Sequence, residues 1–429
     1  MSEKTKKGFY YGWVVFAVCF VMVMVALGFG SSTKGTYLTA ITEDLGLKRG
    51  LFTINDSMRY ITTSILSFFF GSIVLKLGPR KMAGFGFFFL VASFSVYAAA
   101  NTYWQFYIGG ALLGAGMAWT TTTVVGYIVE KWFTNDKGTI MGIILAANGL
   151  GGVISEFVIT KIIYGADGTL TASQSHWRKA YIITAVLFAI VGVIAVLFLR
   201  NTPQEMGLEP LGQGKQKKAK RGLNWEGYEM KDILRMPCFY VSAVCVFVTG
   251  FTLQSMSNMA KPYMYDLGIS KEYVIFVFSA HALFLALAKI ASGISYDHFG
   301  IRITFGACSI AAVTSLIALS LTTGDSKVTL WFYSIISAFA MPLETVIIPL
   351  LVSQMFGSKS FAKVMGYYLA INTLGYACGV PVVNTAYDIM GTYKYMIIAL
   401  CFIMATSSIV AQFSMADADK KRIAFLNNK

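Results

Sequence analysis

Four charged residues lie inside long apolar stretches of the sequence, where a charge needs a chemical reason. They are Arg59, Glu156, Lys289 and Glu344. A charge at the centre of a membrane-spanning helix costs about 2.5–3.5 kcal/mol on insertion scales, so it requires a partner or a water-filled cavity. Buried cations can bind anionic substrates, and a desolvated carboxylate can take up and release a proton. These residues therefore predict a site within a membrane that binds ions or transfers protons.

The composition supports a membrane protein and excludes several other classes. Of the 429 residues, 56% are hydrophobic and 13% are charged, with a mean hydropathy of +0.63, whereas soluble domains carry roughly 25% charged residues. The six cysteines all fall within apolar runs, which is typical of buried hydrophobic residues and not of a disulfide scaffold. With three histidines and no metalloprotease, phosphate-loop or nucleophile-elbow motif, the sequence predicts neither an enzyme, a cofactor nor a metal site.

About twenty apolar residues cross a bilayer as a helix, and the sequence contains twelve such stretches. We predict an all-α membrane protein with an N-terminal six-helix bundle over 1–199, a linker loop over 200–237 and a C-terminal six-helix bundle over 238–429. The basic stretch at 213–222 is typical of a flexible connection, and the first span is not expected to be a removable signal peptide. The predicted spans are 10–33, 51–75, 82–100, 104–129, 138–163, 180–199, 238–263, 272–296, 303–323, 328–352, 361–388 and 395–415.

The positive net charge reflects topology more than it reflects a binding partner. The chain has 35 Lys and Arg residues against 21 Asp and Glu, a net charge of +14. Loops on the side of the two termini carry more than twice as many Lys and Arg residues as loops on the other side. By the positive-inside rule we expect both termini in the cytoplasm, in a multi-pass protein of the cell (inner or plasma) membrane. No nucleic acid is implied, and a monomer is sufficient.

A short pattern of glycines and a basic residue occurs twice, after the second and after the eighth predicted span, at one constant offset. Duplicated halves of this kind are typical of transporters, whose substrate site lies near the midplane between the halves. The two copies are Gly71, Gly78 and Arg80 in the first half and Gly293, Gly300 and Arg302 in the second.

With Asp297 as its acid, the second copy reads G-x-x-x-D-x-x-G-x-R and resembles the signature loop of the major facilitator superfamily. The resemblance covers essentially the whole chain and implies that the seven residues form an inner gate motif on the cytoplasmic side. Leu75 replaces the acid in the first copy. We therefore expect a charge-mediated latch in the second half only.

A narrower resemblance is to the monocarboxylate transporter and oxalate/formate antiporter branch of that family. It implies a secondary active transporter of a small organic anion, expected to be a monocarboxylate, by proton symport or anion exchange. Asn372 stands where the oxalate-exchanging relatives have a second cation, which argues against a dicarboxylate. The motifs that carry the resemblance are Tyr11-Gly12-Trp13, Leu77-Gly78-Pro79-Arg80, Lys131-Trp132-Phe133 and the segment 201–210.

The resemblance implies roles for Lys289 and Lys34, and the chemistry of a desolvated carboxylate suggests one for Glu344. Lys289 occupies the place of a span-8 cation that holds the substrate carboxylate, and its alternatives are an ion pair with Glu344 or a side chain directed to the interface. Lys34 lies close to a lysine implicated in proton and substrate coupling, or it extends to the membrane surface. Glu344 is the candidate proton carrier, or one half of a fixed ion pair.

Other polar residues on the predicted cavity-lining spans are further candidates for substrate binding. Arg59 either binds the anion or pairs with Asp56 or Glu156. Lys261, near the end of span 7, fits an outer vestibule that attracts anions or a cation that stabilises a helix end. The remaining candidates are His281, Tyr127, Asn148 and Asn372.

Two other functions fit a duplicated twelve-span protein. One is efflux of drugs or hydrophobic organic ions, which would favour acids over bases in the cavity, whereas intramembrane cations are more numerous here. The other is a membrane sensor that binds without transporting, although such sensors usually carry an added signalling domain. The expected partners of a transporter are the small organic anion, a proton or a counter-anion, and the lipid bilayer.

Overall fold

The computed structural model describes residues 10–165, 176–211, 225–324 and 327–427. These residues form twelve long helices, one for each predicted span, in two halves of six. The all-α architecture predicted from the sequence is confirmed. The helices are α1 Gly12–Asp44, α2 54–77, α3 79–99, α4 Tyr103–Trp132, α5 Lys137–Tyr164, α6 Trp177–Phe198, α7 Pro237–Asp266, α8 Lys271–Phe299, α9 Ile301–Leu321, α10 327–356, α11 Phe361–Met390 and α12 Lys394–Asn427.

Ten helical segments of the described chain are long and apolar enough to cross a membrane by length and composition. One of them, Ile54–Ala99, contains two crossings, because the backbone turns at Gly78 with φ of 76° and separates α2 from α3. Only glycine adopts that conformation readily. The α11 helix has the length of a span but is less apolar, which is consistent with a helix that faces polar surroundings.

Three helices are interrupted near their middles. In α1 a wider π-type turn covers Gly28–Ser32, in α4 the helix breaks at Thr121, and in α10 it breaks on either side of Pro342–Thr345. Interruptions within a membrane are tolerated where the freed backbone lies in protein or lines a cavity. These three interruptions therefore indicate where the two halves meet around a central cavity.

The two halves contact each other closely on the side of the termini, which we call the termini side. A Cβ atom added at Gly142 of α5 would lie 2.4 Å from the carbonyl oxygen of Lys289 on α8. A Cβ added at Gly71 of α2 would lie 2.5 Å from the Cα of Lys363 on α11. Any larger residue would clash, so glycine is what permits these helices to pack backbone to backbone.

The connector between the halves is anchored at both ends to equivalent loops. Leu211 pairs through its backbone with Trp132 and Thr134 in the loop between α4 and α5. Residues 225–229, which we call the connector strap, pair with the loop between α10 and α11, where the Tyr228 amide donates to the Phe356 carbonyl at 3.1 Å. The predicted flexible stretch at 213–222 lies outside the described residues.

The strap is fixed mainly by backbone geometry and aromatic packing. Gly227 has φ of 88°, and a Cβ there would lie 2.1 Å from the Phe356 carbonyl oxygen. The rings of Trp225 and Tyr228 pack edge to face at 4.9 Å. Glu229 and Lys359 form an ion pair at 2.9 Å that is more than half exposed, and this hydrogen bond holds the pKa of Glu229 below its ordinary value.

We predict that Gly227→Ala destabilises the protein measurably, because the added methyl group strains a left-handed backbone and displaces the strap. The expected cost is about 1–3 kcal/mol, seen as a lower apparent Tm in detergent. Lys359→Met is the matched control, since an exposed ion pair contributes little to stability. Equal Tm values for the two variants would contradict this account of the strap.

Candidate substrate cavity

A cavity of about 280 Å³ lies between the two halves, close to the middle of the spans that surround it. Its wall is formed by α1, α2, α4 and α5 from the first half and α10 and α11 from the second. Most of its polar groups are hydroxyls and amides, with one cation and one acid among the described lining residues. Those residues are Leu27, Ser31, Arg59, Tyr60, Thr63, Ser67, Met117, Ala118, Thr121, Thr122, Thr123, Asn148, Glu344, Thr345, Leu369, Asn372, Thr373 and Tyr376.

Arg59 is the cation of this wall, and its side chain is 7% exposed. Its guanidinium donates to the hydroxyl of Ser31 at 3.2 Å and lies 4.3 Å from the ring centroid of Tyr60. The carboxylate of Asp56 is 3.8 Å from its Nε atom. These contacts fix the orientation of the fork but use only part of its five N–H donors. The remaining capacity suits a carboxylate ligand.

Asp56 also binds Lys34, so one carboxylate serves two cations. The Lys34 ammonium donates to Asp56 and lies 5.6 Å from the ring centroid of Tyr60. Lys34 does not line the central cavity among the described residues, but it lines a smaller chamber of about 110 Å³ within the first half. The α1 helix continues to Asp44, beyond the predicted end at residue 33.

Glu344 is the acid of the wall and comes from the short helical piece Pro342–Thr345 of α10. The residue is 8% exposed, and its Oε1 atom has no hydrogen-bond partner among the described residues. Tyr376 of α11 lines the cavity beside it, and its ring packs edge to face with Tyr60 at 5.8 Å. The Tyr60 hydroxyl accepts from the Gln254 amide at 3.1 Å. Aromatic side chains from both halves therefore separate Arg59 from Glu344.

Lys289 lies behind the wall of the cavity. Its side chain is 2% exposed, and its ammonium donates to the Leu145 carbonyl of α5 at 3.2 Å. Glu344 is near enough for its charge to act on Lys289. In the described conformation Lys289 thus links α8 to α5 by a hydrogen bond, and the cavity exposes Arg59 instead.

The other predicted residues divide between the cavity and its surroundings. Asn148 and Asn372 line it, although the Asn372 amide donates to the Val246 carbonyl at 3.0 Å and packs against Gly250. The other three contact neighbouring groups within their own halves. Tyr127 packs against Phe70, Lys261 lies over the ring of Phe278, and the Nδ1 atom of His281 is 2.7 Å from the Ser334 carbonyl oxygen.

The second copy of the inner gate motif binds across the interface between the halves. The Asp297 carboxylate accepts hydrogen bonds from the backbone amides of Gly138 at 3.0 Å and Thr139 at 2.6 Å. It also accepts from the Thr139 hydroxyl. These donors form the N-terminus of α5, where a negative charge is favoured by the unpaired amides and the helix dipole. The motif therefore holds α8 of the second half on α5 of the first.

In the first copy, Gly71 packs against the backbone of Lys363 in the second half, and the polar contacts of Arg80 stay within the first half. Leu75, in place of the acid, is 60% exposed. Arg80 donates through its side chain to the Val196 carbonyl and through its amide to the Asn201 side chain. In the second copy, Gly293 packs against Gly138, Gly300 turns the chain with φ of 82°, and the Arg302 carbonyl accepts from Gln412. The two copies thus differ in their charged contacts, because Asp297 has no acidic counterpart at Leu75.

Sequence reasoning missed a second contact between the halves on the termini side. Glu130 at the end of α4 accepts from the Lys137 ammonium and from the Ser353 hydroxyl of α10, both at 2.9 Å. Both charged side chains are less than 10% exposed. The ion pair could have been predicted, because Glu130 and Lys137 flank a short loop. The contact with Ser353 could not, because this serine is remote in sequence.

We predict that Asp297→Asn weakens closure on the termini side, because the neutral amide interacts less strongly with the start of α5. Hydrogen bonds to a charged group contribute about 1.5–3 kcal/mol, enough to shift a two-state population about tenfold. Spin labels at exposed positions Lys81 and Ile303, in a Cys378→Ser background, report the distance between the two halves. We expect a larger population of long distances in the variant.

The matched control is Asp417→Asn, which removes an exposed acid that pairs with Lys421 at 2.6 Å on α12. It should leave the distance distribution unchanged. An Asp297→Asn distribution identical to that of wild type would show that this capping contact does not govern closure.

Two six-helix halves with a buried polar cavity between them, closed on one side by an interface contact, define a membrane transporter of the alternating-access class. The family model of the Major Facilitator Superfamily matches residues 18–257 and 242–427. The chain therefore belongs to the major facilitator superfamily.

Similar proteins agree with this assignment across the full length of the chain. The uncharacterized MFS-type transporter YcxA of Bacillus subtilis (strain 168) is 23% identical over 408 residues, 93% of this chain and 94% of YcxA. The solved structure of the proton:xylose symporter XylE has a TM-score of 0.70 at 15% identity, covering 95% of this chain and 96% of XylE. A probable hexose phosphate transport protein of Chlamydia trachomatis is 23% identical over 171 residues, 40% of this chain and 36% of that protein.

Proposed function

We propose that the chain is a secondary active transporter of a small organic anion, a monocarboxylate, which it binds at Arg59 and moves by proton symport or anion exchange. The observation that carries the proposal is the Arg59 guanidinium in the wall of a cavity between the two halves. A buried cation with unused donors is a binding site for an anion of matching size.

The size and chemistry of the cavity favour a small substrate with a single anionic group. About 280 Å³ is at or below the range of sites for drug-sized ligands. Arg59 is the one cation among the described lining residues, and the remaining polar groups are neutral donors and acceptors apart from Glu344. The hexose phosphate transport protein similar to part of this chain is also named for an anionic cargo, which is consistent with the class proposed.

Arg59 is a better candidate for the carboxylate than Lys289. Guanidinium presents paired donors that match a carboxylate, whereas an ammonium acts as a point charge. Lys289 donates to a backbone carbonyl behind the wall, so we propose that it positions α5 against α8. Lys34 influences the site through Asp56, which it shares with Arg59.

Glu344 is proposed as the coupling group. A buried carboxylate with an unpartnered oxygen repels an anion that enters the same cavity. Binding of the anion therefore favours uptake of a positive charge by this carboxylate. A proton is the simplest such charge. Its uptake and release as the cavity opens to each side would couple the substrate to the proton gradient.

We expect Arg59→Lys to lower carboxylate counterflow in proteoliposomes at least about tenfold, because the paired donors are lost while the charge remains. The measurement uses a panel of monocarboxylates with and without a pH gradient. The control is Arg178→Lys, which changes an arginine that donates to the Ala98 carbonyl, away from the cavity. Wild-type counterflow in Arg59→Lys would exclude Arg59 as the carboxylate partner.

A further inference from the structure

The cavity carries two opposite charges on opposite halves of the protein. Arg59 comes from α2 of the first half, and Glu344 comes from α10 of the second. Each is less than 10% exposed. No ion pair between them occurs among the described residues, and the rings of Tyr60 and Tyr376 lie between the two elements.

The two charges differ in how well the protein satisfies them. Arg59 has Ser31, Asp56 and Tyr60 as neighbours. Glu344 keeps an oxygen atom with no hydrogen-bond partner in the described chain, and the nearby Lys289 directs its ammonium to Leu145 instead. A buried carboxylate left in this state is unfavourable unless a positive group joins it. The cavity therefore offers a binding position for a cation at Glu344 as well as one for an anion at Arg59.

We propose that the substrate is a zwitterion, a small aminocarboxylate whose carboxylate binds Arg59 and whose ammonium group binds Glu344. This inference rests on the proposed transport function and on Arg59 as the carboxylate partner, and it revises that proposal in two respects: the substrate has no net charge, and Glu344 binds its ammonium group instead of a coupling proton. The ammonium takes the place of the proton on Glu344, so the substrate itself supplies the positive charge that an unsubstituted acid lacks.

The arrangement of the wall accounts for both selectivity and movement. An unsubstituted monocarboxylate pairs with Arg59 but offers no positive group to Glu344. A simple amine pairs with Glu344 but offers no negative group to Arg59. A zwitterion satisfies both groups at once and joins one half of the protein to the other. Because its two ends bind different halves, it stabilises the closed arrangement in which both halves reach the substrate.

The test is equilibrium binding to the purified full-length protein by titration calorimetry. The probes are glycine, β-alanine, 4-aminobutyrate and 6-aminohexanoate, each compared with the unsubstituted acid of the same chain length. The series varies the separation of the charged ends, so the preferred member reports the distance between the two sites. We expect at least one aminocarboxylate to bind about tenfold or more tightly than its matched acid, since a hydrogen bond to a charged group contributes that much.

Glu344→Gln should abolish this preference while binding of the unsubstituted acids persists. The matched control is Glu156→Gln, an acid on α5 that accepts from Thr36 outside the cavity wall, and it should retain the preference. Thermal unfolding in detergent checks that both variants are folded. Because the Gln side chain is nearly isosteric, a folded Glu344→Gln protein isolates the charge.

Three results would overturn the inference. If unsubstituted acids bind as tightly as every aminocarboxylate, and Arg59→Lys weakens them, the substrate is a simple anion and the proposed function stands. If neither class of carboxylate binds or undergoes counterflow, the proposed function fails with the inference. Retention of the preference in Glu344→Gln would also contradict the role assigned to Glu344.

Discussion

Backbone-to-backbone contact between helices of the two halves is the constraint on which the rest of the structure depends. Gly142 lies against the backbone of Lys289, and Gly71 lies against that of Lys363. Within a membrane, apolar burial does not drive helices together, so close packing and polar contacts must do so. The glycine contacts bring α5 to α8 and α2 to α11, and the Asp297 carboxylate then reaches the N-terminus of α5. These contacts close the protein on the termini side. The cavity is the space that remains between the halves beyond these contacts.

The placement of charge follows from the same closure. A charge in the hydrocarbon region must be paired, and the protein pairs Lys34 with Asp56. At the termini side it pairs the buried Lys137 with Glu130. Arg59 and Glu344 are the charges whose remaining capacity is directed to the cavity. Because one belongs to each half, any movement that separates the halves also separates these charges. In the proposed function, this arrangement would couple substrate binding to conformational change through the site itself.

The sequence predicted the fold well because its signals are local. Twelve apolar stretches and a repeated glycine motif specify a duplicated helical protein, and the acid at Asp297 identified the half that forms the latch. The site depends on the orientation of each helix about its own axis, because that orientation decides which side chains face the cavity. Apolar stretches of this length do not specify it. Lys289 and Arg59 were both recognised as intramembrane cations, yet only packing against Leu145 decides that the first lies behind the wall. The partner of Glu130, Ser353, is more than two hundred residues away and has no sequence signal.

The most direct test of the account is a structure of the full-length protein with a transported carboxylate bound. The account predicts the ligand in the cavity between the halves, with its carboxylate oxygens about 3 Å from the Arg59 guanidinium and its other end towards Glu344. The same complex should show the ligand in contact with residues of both halves. A carboxylate bound at Lys289 or in the chamber beside Lys34, with Arg59 free of ligand, would contradict the central claim.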